Sequence, residues 1–351
     1  MSRYLAGLLA GACGLLAAIL VCQAPILSAQ EKGAAKKPDK RQDLPKPERF
    51  TQQTFDHVTL VGDFYPAPST RGGEAPVVLL LHAAYSSRKS WGKFPELLQE
   101  EGYAVLAFDF RAHGDSTEID PKEYWKINPL RRGNYNNPPK KLELRDLGNY
   151  LEEWLKLGND IYAAKDWLNL KNNQGLCNSS NIILVGAEQG ALLGLMWAYV
   201  SLEDRARFRA DGKPEIEDIT CAIWLSMRPT LANKNLPNQN VEVWLKSVRD
   251  KLPTLVVYGE ADKPAANFWK RAYDWIKPPR KREQYEYTRL KEIEKTSLAG
   301  AKLLNQDNLD TEKWILEYLK MTRSLQSQRV WRQRKDTDRQ QTPFPAKLLG
   351  L

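Results

Sequence analysis

Strands and helices alternate through the middle of this 351-residue chain, which predicts an α/β fold with a mainly parallel sheet covered by helices on both faces. Two observations carry the prediction. The runs VVLLL (77–81), AVLAF (104–108), NIILVG (181–186), CAIWLSM (221–227) and TLVVYG (254–259) are short and apolar throughout, as strands buried on both faces must be. The segments between them place apolar residues at helical spacing instead. With 42% apolar and 27% charged residues, the chain can bury one large core.

The elements follow in order. Arg3 precedes an apolar run from Leu5 to Val21 that ends in small residues. Residues 1–29 therefore read as a secretory signal peptide cleaved near Ala29, which implies an exported chain, periplasmic or extracellular. An uncleaved anchor is the alternative, since about 17 apolar residues reaches the lower limit for a span. Cleavage removes one cation, Arg3, and takes the net charge from +9 to about +8. Residues 30–50 have no apolar period and read as a basic Pro/Lys linker. Residues 51–322 carry the domain. It opens with the strand HVTLVGDFYPA (57–67) and closes with a last edge strand, EQYEYTRL (283–290), before a helix over 309–321. Residues 323–351 read as a basic, solvated tail, whose charge allows weak contact with polyanions or membrane surfaces.

In a parallel sheet of this kind, chemistry gathers at the carboxyl ends of the strands. The segments there are His82-Ala83-Ala84-Tyr85, Asp109 to Gly114, Gly186 to Gly190, Ser226-Met227-Arg228 and Gly259 to Asp262. LLLHAAYSSRKSW, FDFRAHGDS, LVGAEQGA and LPTLVVYGEAD occur in the order and at the separations of four motifs of the α/β-hydrolase superfamily, and the chain resembles that family over about residues 54–320. The resemblance implies an eight-stranded sheet. Only RPTLANKNLPNQN (228–240) stands where many relatives insert a cap, so no large cap domain is expected. The longer excursion over 117–146 is expected to cover the pocket.

At the catalytic positions the resemblance weakens. Glu188 stands at the nucleophile's place in the elbow, between the structural glycines Gly186 and Gly190. Asp262 matches the acid, and Leu298 or Ala299 falls where the family carries its histidine. The three histidines of the chain, His57, His82 and His113, all precede the elbow. Triad chemistry needs a base beside the nucleophile and a group behind the base. This sequence therefore predicts a non-catalytic protein with a ligand-binding or structural role. A divergent hydrolase acting on an ester, amide or related bond through Glu188, Asp262 and His82 is the alternative. Ala83, Ala84, Tyr85, Gln189 and Arg228 are the expected pocket and oxyanion-loop residues. Glu188 itself reads as a filler of the old pocket, as a binding residue paired to Arg228 or Lys263, or as a nucleophile.

Cys177 and Cys221 begin neighbouring strands in the family's arrangement, so a disulfide between them is an open expectation. Trp154, Trp167, Trp197, Trp224 and Trp314 fall on apolar faces and read as core, whereas Trp91 and Trp125 read as possible ligand platforms. Cysteine spacing excludes a metal cluster, and no phosphate-binding or nucleic-acid motif is present, so no cofactor is expected. The implied partner is a small molecule or an envelope component.

Overall fold

All five apolar runs become strands in the computed structural model, which describes residues 44–128, 138–282, 286–335 and 342–351. The expected signal peptide and most of the linker, through residue 43, lie outside the described residues. The main sheet has eight strands: β1 (Glu48–Gln53), β2 (Thr59–Tyr65), β3 (Pro76–Leu81), β4 (Ala104–Phe108), β5 (Asn178–Ala187), β6 (Ile219–Leu225), β9 (Thr254–Gly259) and β10 (Arg289–Ile293), with a two-stranded hairpin, β7 (Thr230–Leu231) and β8 (Lys234–Asn235), between β6 and β9. Their order is β1-β2-β4-β3-β5-β6-β9-β10. The β1–β2 and β2–β4 pairs are antiparallel and the remaining pairs parallel. Only the small hairpin stands where a cap would be inserted.

Ten helices cover the sheet among the described residues: α1 (Phe94–Glu100), α2 (Pro121–Ile127), α3 (Leu144–Leu147), α4 (Leu151–Leu155), α5 (Leu157–Asn173), α6 (Gln189–Glu203), α7 (Asn238–Val248), α8 (Lys263–Ile276), α9 (Thr311–Met321) and α10 (Arg323–Ser327). Strand alternation divides the core into two layers. Val77, Leu79 and Leu81 face α5 to α8, whereas Val78 and Leu80 face α1 and α9. None of these helices is long and apolar enough to cross a membrane.

Several expectations need correction. The linker ends at residue 47, because Glu48–Gln53 pairs along β2 and buries Phe50. Its one inward apolar residue is too weak a signal for an edge strand. The last strand is Arg289–Ile293, so EQYEYTRL overlaps it by two residues only. β5 begins at Asn178, earlier than its apolar run, because Asn178, Ser179 and Ser180 are buried by polar partners. That extension, with a bulge before Ile183, sets Ile183 opposite Cys221. Cys177 then packs on the α5 side and Cys221 on the α9 side, and both are free thiols. No disulfide forms. Burial pushes both thiols up to about 12.

The tail is docked rather than solvated. Arg334 is buried and ion-paired to Asp218 at 2.9 Å, and Phe344 and Leu349 join the core. Trp91 is fully buried under α1 and is no ligand platform, while Trp314 is 39% exposed with the Lys291 ammonium 4.1 Å from its ring centre. Trp125 is tied by its indole N–H to the Pro139 carbonyl at 2.8 Å. The described parts of the 117–146 excursion are held beside β2, through the Val58–Ile119 bridge and the Asn128 amide near Asp56.

Candidate functional site

The carboxyl edge is built from four tight turns. Tyr85 after β3, Ala112 after β4, Glu188 after β5 and Ser226 after β6 all have φ between 47° and 63°. An L-residue in that region costs about 1–3 kcal/mol and persists only where its surroundings enforce it. At the elbow the enforcement is visible. A Cβ on Gly190 would overlap the Leu81 and His82 carbonyl oxygens, and one on Gly186 would overlap the Ala191 backbone. The chain therefore has to turn from β5 into α6 at Glu188 (φ 47°, ψ −110°), whose side chain is presented at the head of α6.

That side chain is paired. Glu188 Oε2 accepts from Arg228 Nη2 at 2.6 Å, with both side chains less than a third exposed. The two residues follow adjacent parallel strands, and the Glu188 N–H donates to the Leu225 carbonyl at 2.8 Å. Burial raises the Glu188 pKa; Arg228 and Lys302 oppose the rise, and the Asp262 charge adds to it. Gly300 closes the far side. Its φ is +57°, and a Cβ there would stand 3.0 Å from the Glu188 carboxylate. Gly300 thus packs against the elbow one residue past the expected histidine position, where Ala299 leads into its turn.

Asp262 caps α8, with Oδ1 3.5 Å from the Ala265 N–H. Its Oδ2 is buried and has no hydrogen-bond partner among the described residues. The imidazoles point elsewhere. His82 is fully buried: Nδ1–H donates to the Ala83 carbonyl at 2.7 Å, and Nε2 accepts from the Phe110 N–H at 3.0 Å. His113 donates from Nδ1 to the Arg111 carbonyl at 2.7 Å and accepts at Nε2 from the Tyr85 N–H at 3.3 Å. His57 sits in the turn before β2, its backbone bonded to Thr54 and Asp120. Ala83 and Ala84 are half-buried, and Tyr85 is exposed, its ring against Trp154 and its hydroxyl accepting from Asn233 at 3.0 Å. Gln189 is the first residue of α6. Lys263 makes no ion pair with Glu188; Arg228 is the partner.

A family model described as the alpha/beta hydrolase fold matches residues 76–210. The chain has the α/β-hydrolase fold. Among solved structures, this α/β-hydrolase-fold protein is similar to an α/β hydrolase of a Penicillium species, at 13% identity over 81% of this chain and 100% of that one (TM-score 0.51). It is also similar to an esterase of Pyrococcus furiosus, at 21% identity over 79% and 91% (TM-score 0.49). A dienelactone hydrolase of Anabaena variabilis matches at 20% identity over 78% and 97% (TM-score 0.48). No curated protein sequence matches significantly.

Within the fold, the structure brings together Glu188, Arg228 and the Asp262 charge, and leaves His82 and His113 in the supporting turns. Lys302 and Gly300 escaped the sequence reading, although a Gly followed two residues later by a Lys was visible in SLAGAKLL. Among the described residues no group of three or more His, Cys, Asp or Glu could hold a metal.

Burial depresses the His82 pKa to about 3, aided by the neighbouring His113. The unfolded chain titrates near 6.5, so this group's contribution to stability is complete above pH 6.5 and is lost as pH falls toward 3. Histidine ring signals in NMR spectra should accordingly show His82 immobile between pH 8 and 5. A His82 midpoint near 6.5 would contradict the tautomer fixed by Ala83 and Phe110.

Proposed function

We propose that this α/β-hydrolase-fold protein is non-catalytic, is exported from the cytoplasm, and uses its elbow as a ligand-binding or structural site. The Glu188–Arg228 ion pair is the observation that carries the reading. A carboxylate nucleophile must present a free lone pair to carbon, and an ester formed on it needs a base to activate water. Arg228 holds Oε2 of the carboxylate, and neither His82 nor His113 is placed as that base, because both nitrogens of each ring are bonded to backbone groups of the loops after β3 and β4. Export rests on the first 29 residues.

The test is p-nitrophenyl acetate turnover by the chain recovered outside the cytoplasm, whose first residue is expected to be Gln30. The expected rate equals that of buffer, for both the natural chain and Glu188→Gln. Turnover that disappears in Glu188→Gln would instead establish the divergent hydrolase.

A further inference from the structure

A cavity of about 290 Å³ opens beside the elbow, between the loop after β6, the β7–β8 hairpin and the first turns of α7 and α8. Two charged side chains line it, Arg228 and Arg271, and no carboxylate does. Thr230, Asn235, Asn238 and Asn267 add polar groups around them. Arg271 has no ion-pair partner among the described residues; its Nε reaches only the Asn267 carbonyl, at 3.3 Å. Arg228 has one, Glu188, which does not itself line the cavity. α7 starts without a side-chain cap. Two guanidinium groups line this cavity with no carboxylate among its lining residues, and their planar donor forks match the geometry of an oxyanion. The volume is at the lower end of ligand sites and suits a small molecule.

We propose that this cavity binds the carboxylate or phosphate group of a small molecule, and that Arg228 engages that group by releasing Glu188. The assignment rests on the reading of the elbow carboxylate as a binding rather than a reacting group. It also specifies the ligand's chemistry. Three charged groups act on Glu188: Arg228 from the loop after β6, Asp262 from the head of α8 and Lys302 from the segment after Gly300. Burial already favours its protonated form, and Arg228 is the larger of the two cations that oppose this. When Arg228 turns to the anion, Glu188 is left half-buried beside Asp262 with Lys302 as its remaining cation, and its affinity for a proton rises further. Anion binding and proton uptake are thus linked at one side chain.

Calorimetric titration at pH 7 and low salt, with inorganic phosphate and separately with succinate, tests this in two buffers of different ionisation enthalpy. Saturable binding of at least one anion with proton uptake is expected, and which anion binds identifies the oxyanion. Arg271→Gln, an exposed change, should weaken binding by roughly tenfold, since it removes one charge-assisted contact. Glu188→Gln should tighten binding and abolish the proton uptake. Absence of saturable binding for both anions, or binding unchanged in Arg271→Gln, overturns the site. Binding without proton uptake overturns the exchange at Arg228. Ester turnover is read separately: turnover with intact anion binding would sink the non-catalytic reading alone, and neither turnover nor binding would sink this inference alone.

Discussion

Replacing Arg111 by Met should cost about 3–5 kcal/mol of folding stability, the cost of leaving buried charges without their partner. The guanidinium is fully buried between Asp56 and Asp160, with Nη2 2.8 Å from Asp56 Oδ1 and Nε 2.8 Å from Asp160 Oδ1. Burial raises Asp160 to about 6 despite the guanidinium, whereas at Asp56 burial is overcome by Arg111 together with the Thr54 hydroxyl and a backbone hydrogen bond, and the carboxyl sits low. Without Arg111, two carboxylates are left in the interior with no cation between them. At least one must bind a proton, so the loss measured by urea unfolding should be larger at pH 8 than at pH 5. Arg111→Met combined with Asp160→Asn should recover part of the loss, because it removes one of the stranded charges. A single-variant loss under about 1 kcal/mol would mean that water reaches the triad and that the ion pairs are worth no more than surface ones.

The effect would extend to the site. The Arg111 carbonyl holds His113 Nδ1, and His113 Nε2 holds the Tyr85 N–H. The loop after β4 and the loop after β3 are therefore joined through one imidazole. A second set of ion pairs, Arg88 with Asp63, Asp109 and Asp115, ties the same two loops from the other side. The strained turns at Tyr85 and Ala112 persist because these buried networks hold the two loops that carry them. Architecture alone accounts for the intact glycines of the elbow.

How far the sequence reveals this depends on which force places each residue. Burial on both faces writes itself as an unbroken apolar run, so β3, β4, β5, β6 and β9 were legible from composition alone. The Glu188–Arg228 contact was legible as one of several alternatives, because both residues follow strands that the fold makes neighbours. Register was not legible: a bulge in β5 separates Cys177 from Cys221, and no residue type announces it. Tryptophans were also ambiguous, since Trp91 in an apparent loop is buried under α1, while Trp314 on an apolar stripe keeps Lys291 over its outer face. Contacts made by polar residues across long separations left no local pattern at all, and the carboxyl-terminal segment is the largest such case.

Ending the chain at Gln328 should therefore destabilise it by more than about 3 kcal/mol, far beyond the roughly 0.5 kcal/mol expected for removing solvated residues. Two anchors would be lost. At the first, Arg334 bonds Ser179, Ser180 and Asp218 at 2.9–3.0 Å, the Asn172 amide donates to the Arg332 carbonyl at 2.9 Å, and the Asn178 amide donates to the Arg329 carbonyl at 2.8 Å. Removing these leaves buried serine and asparagine groups without partners, at about 1–3 kcal/mol each where water cannot enter. At the second, Phe344 packs over Gly158 and against the Tyr162 ring at 5.6 Å, and the Leu349 carbonyl accepts from the Trp244 indole at 3.3 Å. Burial of those two side chains contributes about 1.5–3 kcal/mol each. Urea unfolding of the truncated chain checks the sum, and Phe344→Ala in the full chain isolates the second anchor. The same variants decide what the positive charge is for. A cationic arm that works by touching polyanions would lose retention on heparin when deleted and keep its unfolding midpoint. The docked segment should do the reverse, since Arg332 and Arg334 already share Asp218 inside the fold.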